Sequence, residues 1–97
     1  MTIKKKVTVA NPQGLHARPA SMFVKIANKF EADITLTKEG QTVNAKSIMG
    51  LLMLAAEQGS EVELAATGKD AERALAELEH FLIHGLDGDK SERPAGS

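Results

Sequence analysis

The sequence predicts an α+β fold, a two-layer open-faced sandwich in which helices cover one face of an antiparallel sheet. Three observations carry this expectation. Apolar and polar residues alternate in several short stretches, as in strands with one buried and one wet face. Two longer stretches repeat apolar residues at helical spacing. Turn residues separate two of the strands closely enough for a hairpin. Ninety-seven residues, 42% of them hydrophobic, suffice for a single core between two layers.

The first strand runs from Ile3 to Ala10, with Ile3, Val7 and Val9 on one face and Lys4, Lys6 and Thr8 on the other. Lys5 breaks the alternation, which suggests an edge strand or a strand end, where its ammonium can reach water. Asn11-Pro12-Gln13-Gly14 reads as a loop. From Ala17 to Phe30 a helical stripe of Ala20, Phe23, Val24, Ala27 and Phe30 points to the core, with Met22 off the stripe. Asp33-Ile34-Thr35-Leu36-Thr37 alternates as a second strand, Lys38-Glu39-Gly40-Gln41 turns, and Thr42-Val43-Asn44 returns. Ser47 caps a short helix from Ile48 to about Ala56, which Gly59 is expected to end. Val62, Leu64 and Ala66 mark a fourth strand. Asp70 caps a last helix whose stripe is Ala71, Ala74, Leu75, Leu78, Phe81 and Leu82, with Gly85 as its natural stop. The element order is βαββαβα. One domain over residues 1–86 is expected, followed by a flexible polar tail over 87–97.

Composition excludes several function classes. Twelve basic against 13 acidic residues, and three aromatics that are all Phe, give neither the field nor the stacking platform of a nucleic-acid binder. There is no cysteine, so disulfides, thiol chemistry and Cys-ligated zinc drop out. Met1-Thr2-Ile3-Lys4-Lys5-Lys6 is basic but lacks a following apolar region, and no apolar run is long enough to span a membrane. A soluble cytoplasmic chain without cofactor is expected. His80 and His84 have the i, i+4 spacing of a zinc chelate, yet no third ligand lies near them in sequence. They read as a solvated face and a helix C-terminus, so no metal is expected.

Chemistry concentrates in Gly14-Leu15-His16-Ala17-Arg18-Pro19-Ala20. His16 stands at the capping position of the first helix, where Ser, Thr, Asp or Asn would hold it better. Pro19 is tolerated in the first turn because early N–H groups lack intrahelical partners. The remaining free N–H groups and the positive end of the helix dipole favour an anion. Arg18 adds a planar fork of donors suited to phosphate oxygens. Imidazole, helix N-terminus and arginine within three residues point to a histidine that accepts a phosphoryl group. A second feature is the apolar excess of Ile48, Met49, Leu51, Leu52, Met53 and Leu54. With Leu51 and Leu54 turned inward, Ile48, Met49 and Leu52 form an exposed patch of the kind that meets a partner.

The stretch Gly14–Ala20, followed thirty residues on by Asn44-Ala45-Lys46-Ser47-Ile48-Met49-Gly50, closely resembles HPr. This is the family of histidine-containing phosphocarriers of the bacterial phosphoenolpyruvate:sugar phosphotransferase system. The resemblance runs from about Thr2 to Gly85. It implies that His16 accepts a phosphoryl group on Nδ1 from phosphorylated Enzyme I and passes it to Enzyme II A-domains. Arg18, with Ala17 beside it, would steady the phosphate. Ser47 matches the regulatory serine modified by an ATP-dependent HPr kinase/phosphorylase, and a transcriptional regulator is a further implied partner. Ile48, Met49 and Leu52, together with Met22, would form the docking surface beside His16. The resemblance also implies the strand order 1-4-2-3 and three helices on one face. Such a chain, read as a monomer, is a stoichiometric carrier and not an enzyme in the strict sense.

The alternative is a regulatory binding module of a nitrogen-type or incomplete phosphotransferase system. The nitrogen branch keeps the histidine, but Asn44–Gly50 looks more like the kinase-regulated carriers. The catabolite-repression paralogue lacks the active histidine, and His16 argues against that assignment.

Overall fold

A computed structural model describes residues 2–10 and 14–92. Its elements in order are β1 (Thr2–Thr8), α1 (Ala17–Ala27), β2 (Asp33–Lys38), β3 (Gln41–Asn44), α2 (Ile48–Leu54), β4 (Glu61–Thr67) and α3 (Ala71–Glu92). The four strands form one sheet in the order β1-β4-β2-β3, every neighbouring pair antiparallel. This is the βαββαβα sandwich expected from the sequence, with the strand order that the resemblance implied.

Alternation in the strands becomes the core. Val7 of β1, Ile34 and Leu36 of β2, and Val62, Leu64 and Ala66 of β4 are buried on the helix-covered face. Opposite them lie Ala20, Phe23 and Ala27 of α1, and Ala74, Leu75, Leu78 and Leu82 of α3. The rings of Phe23 and Phe81 meet at 6.0 Å, tilted by 57°, and so join the two long helices. Each fully buried Leu or Phe contributes about 1.5–3 kcal/mol, so this face supplies most of the driving force for folding.

Lys5 occupies an instructive position. Its register partner is Leu64, which places it in the row of residues beneath the helices. The strand is an edge, as its break in pattern suggested, and the ammonium reaches Glu79 of α3 at 3.0 Å. The stem covers apolar surface while the charge stays at the rim.

Helix ends depart from the expectations in three places. The first helix stops at Ala27 and not at Phe30, because Asn28, Lys29 and Phe30 form a closing turn that still buries the Phe30 ring. The second helix ends at Ala55, in the left-handed conformation with φ 53°, ahead of the expected Gly59. Gly59 serves instead in the turn into β4, where its N–H donates to Val9 O at 2.7 Å. The last helix runs through Gly85 to Glu92, so Gly85 is no stop, and residues 87–92 of the expected tail are helical. A glycine inside a helix costs about 1 kcal/mol relative to alanine, which is a weakness and not a terminator. Residues 93–97, like Asn11, Pro12 and Gln13 of the expected loop, lie outside the described residues.

Asp70 occupies the expected N-cap position, but among the described residues its carboxylate makes no bond to the N–H groups of α3. It stands at the N-cap position of α3, where its backbone carbonyl accepts from Ala74 N–H at 3.0 Å. Its carboxylate meanwhile accepts from the N–H groups of Glu31 (3.0 Å) and Ala32 (2.9 Å), tying α3 to the turn before β2. Gly68 permits this approach: it sits at φ 134°, and a Cβ there would lie 3.1 Å from Ala32 Cα. The Glu31 N–H chiefly holds the carboxyl below its ordinary 3.8; desolvation opposes, and the N–H groups of Ala32 and Asp70 and the Arg73 charge assist.

Because folding lowers this pKa, the carboxylate's contribution is complete above about pH 3.8 and is lost as pH falls through the lower folded value. Asp70→Ala should therefore lower the urea midpoint at neutral pH, and the gap from the parent should narrow as the solution is acidified below that point. A gap that stayed constant into strong acid would refute the assignment. Ala55→Gly should raise stability by about 0.5–1 kcal/mol in the same denaturation experiment, since glycine adopts the left-handed region without steric cost.

Candidate functional site

His16 is the N-cap of α1, with extended backbone (φ −86°, ψ −169°) and a side chain that makes no capping hydrogen bond. Its carbonyl accepts the first intrahelical bond from Ala20 N–H at 2.8 Å. Helix geometry leaves the N–H groups of Ala17 and Arg18 without intrahelical acceptors, and Pro19 has none to offer. The first turn contains no acidic residue that would oppose an incoming anion. His16, Ala17 and Arg18 are all exposed, whereas Pro19 and Ala20 are buried. The imidazole is thus presented to solvent from a backbone anchored in the core. Among the described residues, Arg18 has no carboxylate partner and its guanidinium is available to an anion.

The approach to His16 is fixed by α2. Leu15 is buried, and its N–H donates to Ala56 O at 2.8 Å. Gly14 has φ 61°, and a Cβ there would stand 2.9 Å from Ala56 O and 3.0 Å from Glu57 Cα. A side chain at residue 14 would therefore push the histidine loop off the end of α2. Gly14 is required on both counts, backbone conformation and close approach.

Ser47 caps α2 as expected, its Oγ accepting from Gly50 N–H at 3.0 Å. Lys46, the preceding residue, turns away from solvent and donates from Nζ to Phe30 O at 2.8 Å. The loop carrying Ser47 is thereby latched to the far end of the helix that begins at His16. Gly50 lets α2 lie against β3, where a Cβ would meet Val43 Cβ at 3.1 Å.

The apolar patch on α2 exists and is larger than the sequence suggested. Leu51 and Leu54 are buried, while Ile48 (41% exposed), Met49 (69%) and Leu52 (39%) face outward. Met53, at 66%, extends the patch and was missed. Its i, i+4 relation to Met49 was the available signal. Met22 is only partly exposed, packed against the core from α1, so it offers less surface than the α2 residues. Among the described residues there is no helix long and apolar enough to cross a membrane.

An open-faced sandwich that presents a free imidazole at the mouth of its first helix has the architecture of a histidine-bearing carrier domain. A sequence model described as "PTS HPr component phosphorylation site" matches residues 3–83. The chain belongs to the HPr family. It is 49% identical over 80 residues to the HPr-like protein Crh of Bacillus subtilis, covering 82% of this chain and 94% of that one. It is 46% identical to the phosphocarrier protein HPr of Treponema pallidum, covering 82% and 91%. The crystal structure of a phosphocarrier protein HPr from Bacillus anthracis superposes with a TM-score of 0.81 at 49% identity, covering 82% and 95%. Proteins of this family are phosphocarriers of the phosphotransferase system, not catalysts.

The uncapped histidine has a measurable consequence for stability. Replacing a poor N-cap by serine gains about 0.5–1 kcal/mol. His16→Ser should raise the unfolding temperature by several degrees. An unchanged or lowered midpoint would mean that the imidazole stabilises α1 in some other way.

Proposed function

We propose that the chain accepts a phosphoryl group on Nδ1 of His16 from phosphorylated Enzyme I and transfers it to Enzyme II A-domains. The observation that carries this reading is the imidazole of His16, exposed and uncapped above two free helix N–H groups with Arg18 beside it. Histidine is nucleophilic while neutral near physiological pH. In the transfer, the Nδ1 lone pair attacks phosphorus, the donor's bond to phosphorus breaks, and that electron pair returns to the donor. The N–H groups of Ala17 and Arg18 and the Arg18 guanidinium would receive the phosphoryl charge. Partial stabilisation by helix N–H groups and one arginine suits a carrier that must release the group again.

Docking is assigned to Ile48, Met49 and Leu52, extended by Met53 and bordered by Met22. Flexible methionines suit a surface that several partners reuse. Ser47 lies at the N-terminal edge of this surface. A phosphate on its Oγ would add about two negative charges there and repel acidic partners while the helix N-terminus tolerates it. The likeness to Crh favours a second reading, in which the chain acts chiefly as a regulator through Ser47.

Intact-protein mass after incubation with phosphoenolpyruvate and Enzyme I separates the two. The carrier reading expects a gain of one phosphate that is acid-labile and absent from His16→Ala. Arg18→Ala should slow the gain about ten- to a hundredfold. No gain with Enzyme I from the same organism, but an acid-stable one with ATP and the kinase that Ser47→Ala abolishes, would leave regulation as the function.

A further inference from the structure

The geometry points to a second ligand site on this chain: His80 and His84 form a surface chelate for a borderline divalent transition ion such as Zn²⁺, Ni²⁺ or Cu²⁺. The missing third ligand argued against metal in the sequence alone. Three structural facts change that reading.

The first is distance. The two rings lie with centroids 4.4 Å apart and planes 39° from each other, so one nitrogen of each can reach a common ion. Metal–imidazole bonds of about 2.0–2.1 Å require donor nitrogens roughly 3 Å apart, which small χ rotations supply from this arrangement.

The second is availability. Both side chains are exposed. Among the described residues neither ring has a hydrogen-bond or ion-pair partner. Of the nearby carboxylates, Glu77, three residues before His80, pairs with Lys29, and Glu79, beside His80 in sequence, pairs with Lys5, each at 3.0 Å. Among the described residues nothing else competes for the imidazole nitrogens.

The third is rigidity. Leu78, Phe81 and Leu82 are buried on the opposite side of α3, and Leu82 O also accepts from Ala10 N–H at 3.2 Å. The helix cannot roll or unwind here without disturbing the core, so the two Cβ positions are set in advance.

Imidazole donors select ions of intermediate softness and disfavour Mg²⁺ and Ca²⁺, which require oxygen. No group of three or more metal-binding side chains occurs among the described residues, so within them the two imidazoles are the donors. The site is open and exchangeable, unlike a closed structural zinc.

The test is titration of the full chain, without a polyhistidine tag, with Zn²⁺ and separately with Ni²⁺. Histidine ring signals are followed by NMR, and uptake is measured by equilibrium dialysis. His80 and His84 signals should respond together at one ion per chain, while Mg²⁺ leaves them unmoved. His80→Gln or His84→Gln should weaken binding about tenfold or more, and His16→Gln should not. Both positions are exposed, and circular dichroism verifies that each variant remains folded. Uptake centred on His16, uptake unchanged in the double variant His80→Gln/His84→Gln, or no uptake at millimolar ion would each overturn the proposal.

Discussion

Covering one face of the sheet while leaving the other in water is the constraint on which the rest of the molecule depends. The inward row of β4 (Val62, Leu64, Ala66) and its neighbours in β2 must meet apolar surface, and only α1 and α3 are long enough to provide it. Both helices therefore lie on the same side. Their mutual contact through Phe23 and Phe81 sets the position of α1, and hence where its N-terminus emerges. The candidate histidine is consequently held by the core at one remove. Its own side chain makes no capping bond, but Leu15 just before it and Pro19 three places on are buried.

The candidate site gives up a helix cap at a single position. An imidazole nitrogen has one lone pair, and at His16 it is not committed to a capping bond. At Ser47 the same position is filled by a residue that does cap, its Oγ accepting from Gly50 N–H. Two helix N-termini in one small domain thus carry different duties. The Lys46 latch onto Phe30 O joins the second to the helix that begins with the first.

Much of this was legible in the sequence because it is local. Alternation in β2 and β4, the stripe of α3, the Ser47 cap and the His16–Arg18 cluster depend on residues a few places apart, and each appeared where expected. Element ends were harder. Gly59 and Gly85 were read as helix stops from residue type, whereas termination depends on whether the chain adopts a left-handed turn, and here Ala55 does so. Asp70 was read as a simple cap because its true partners, Glu31 and Ala32, lie nearly forty residues away. Lys5 was placed at an edge correctly, but its pairing with Glu79 depends on how α3 crosses β1. Strand order came from family likeness, since no local pattern states which strand lies beside which. For the patch, Ile48, Met49 and Leu52 followed from the helical period, and only Met53 was overlooked.

The place of β4 has a consequence for how the chain comes into being. It lies between β1 and β2, yet it is the last strand to be synthesised. As the chain leaves the ribosome, β1 has no neighbour to pair with, and the β2–β3 hairpin stands without its inner partner. Isolated hairpins are marginal in water. The sheet therefore closes only after residues 61–67 have emerged, and the loop before His16 acquires its anchor at Ala56 only shortly before. Non-local pairing of this kind makes folding a late and cooperative event. A partly made chain therefore does not yet hold His16 in its finished setting at the mouth of α1.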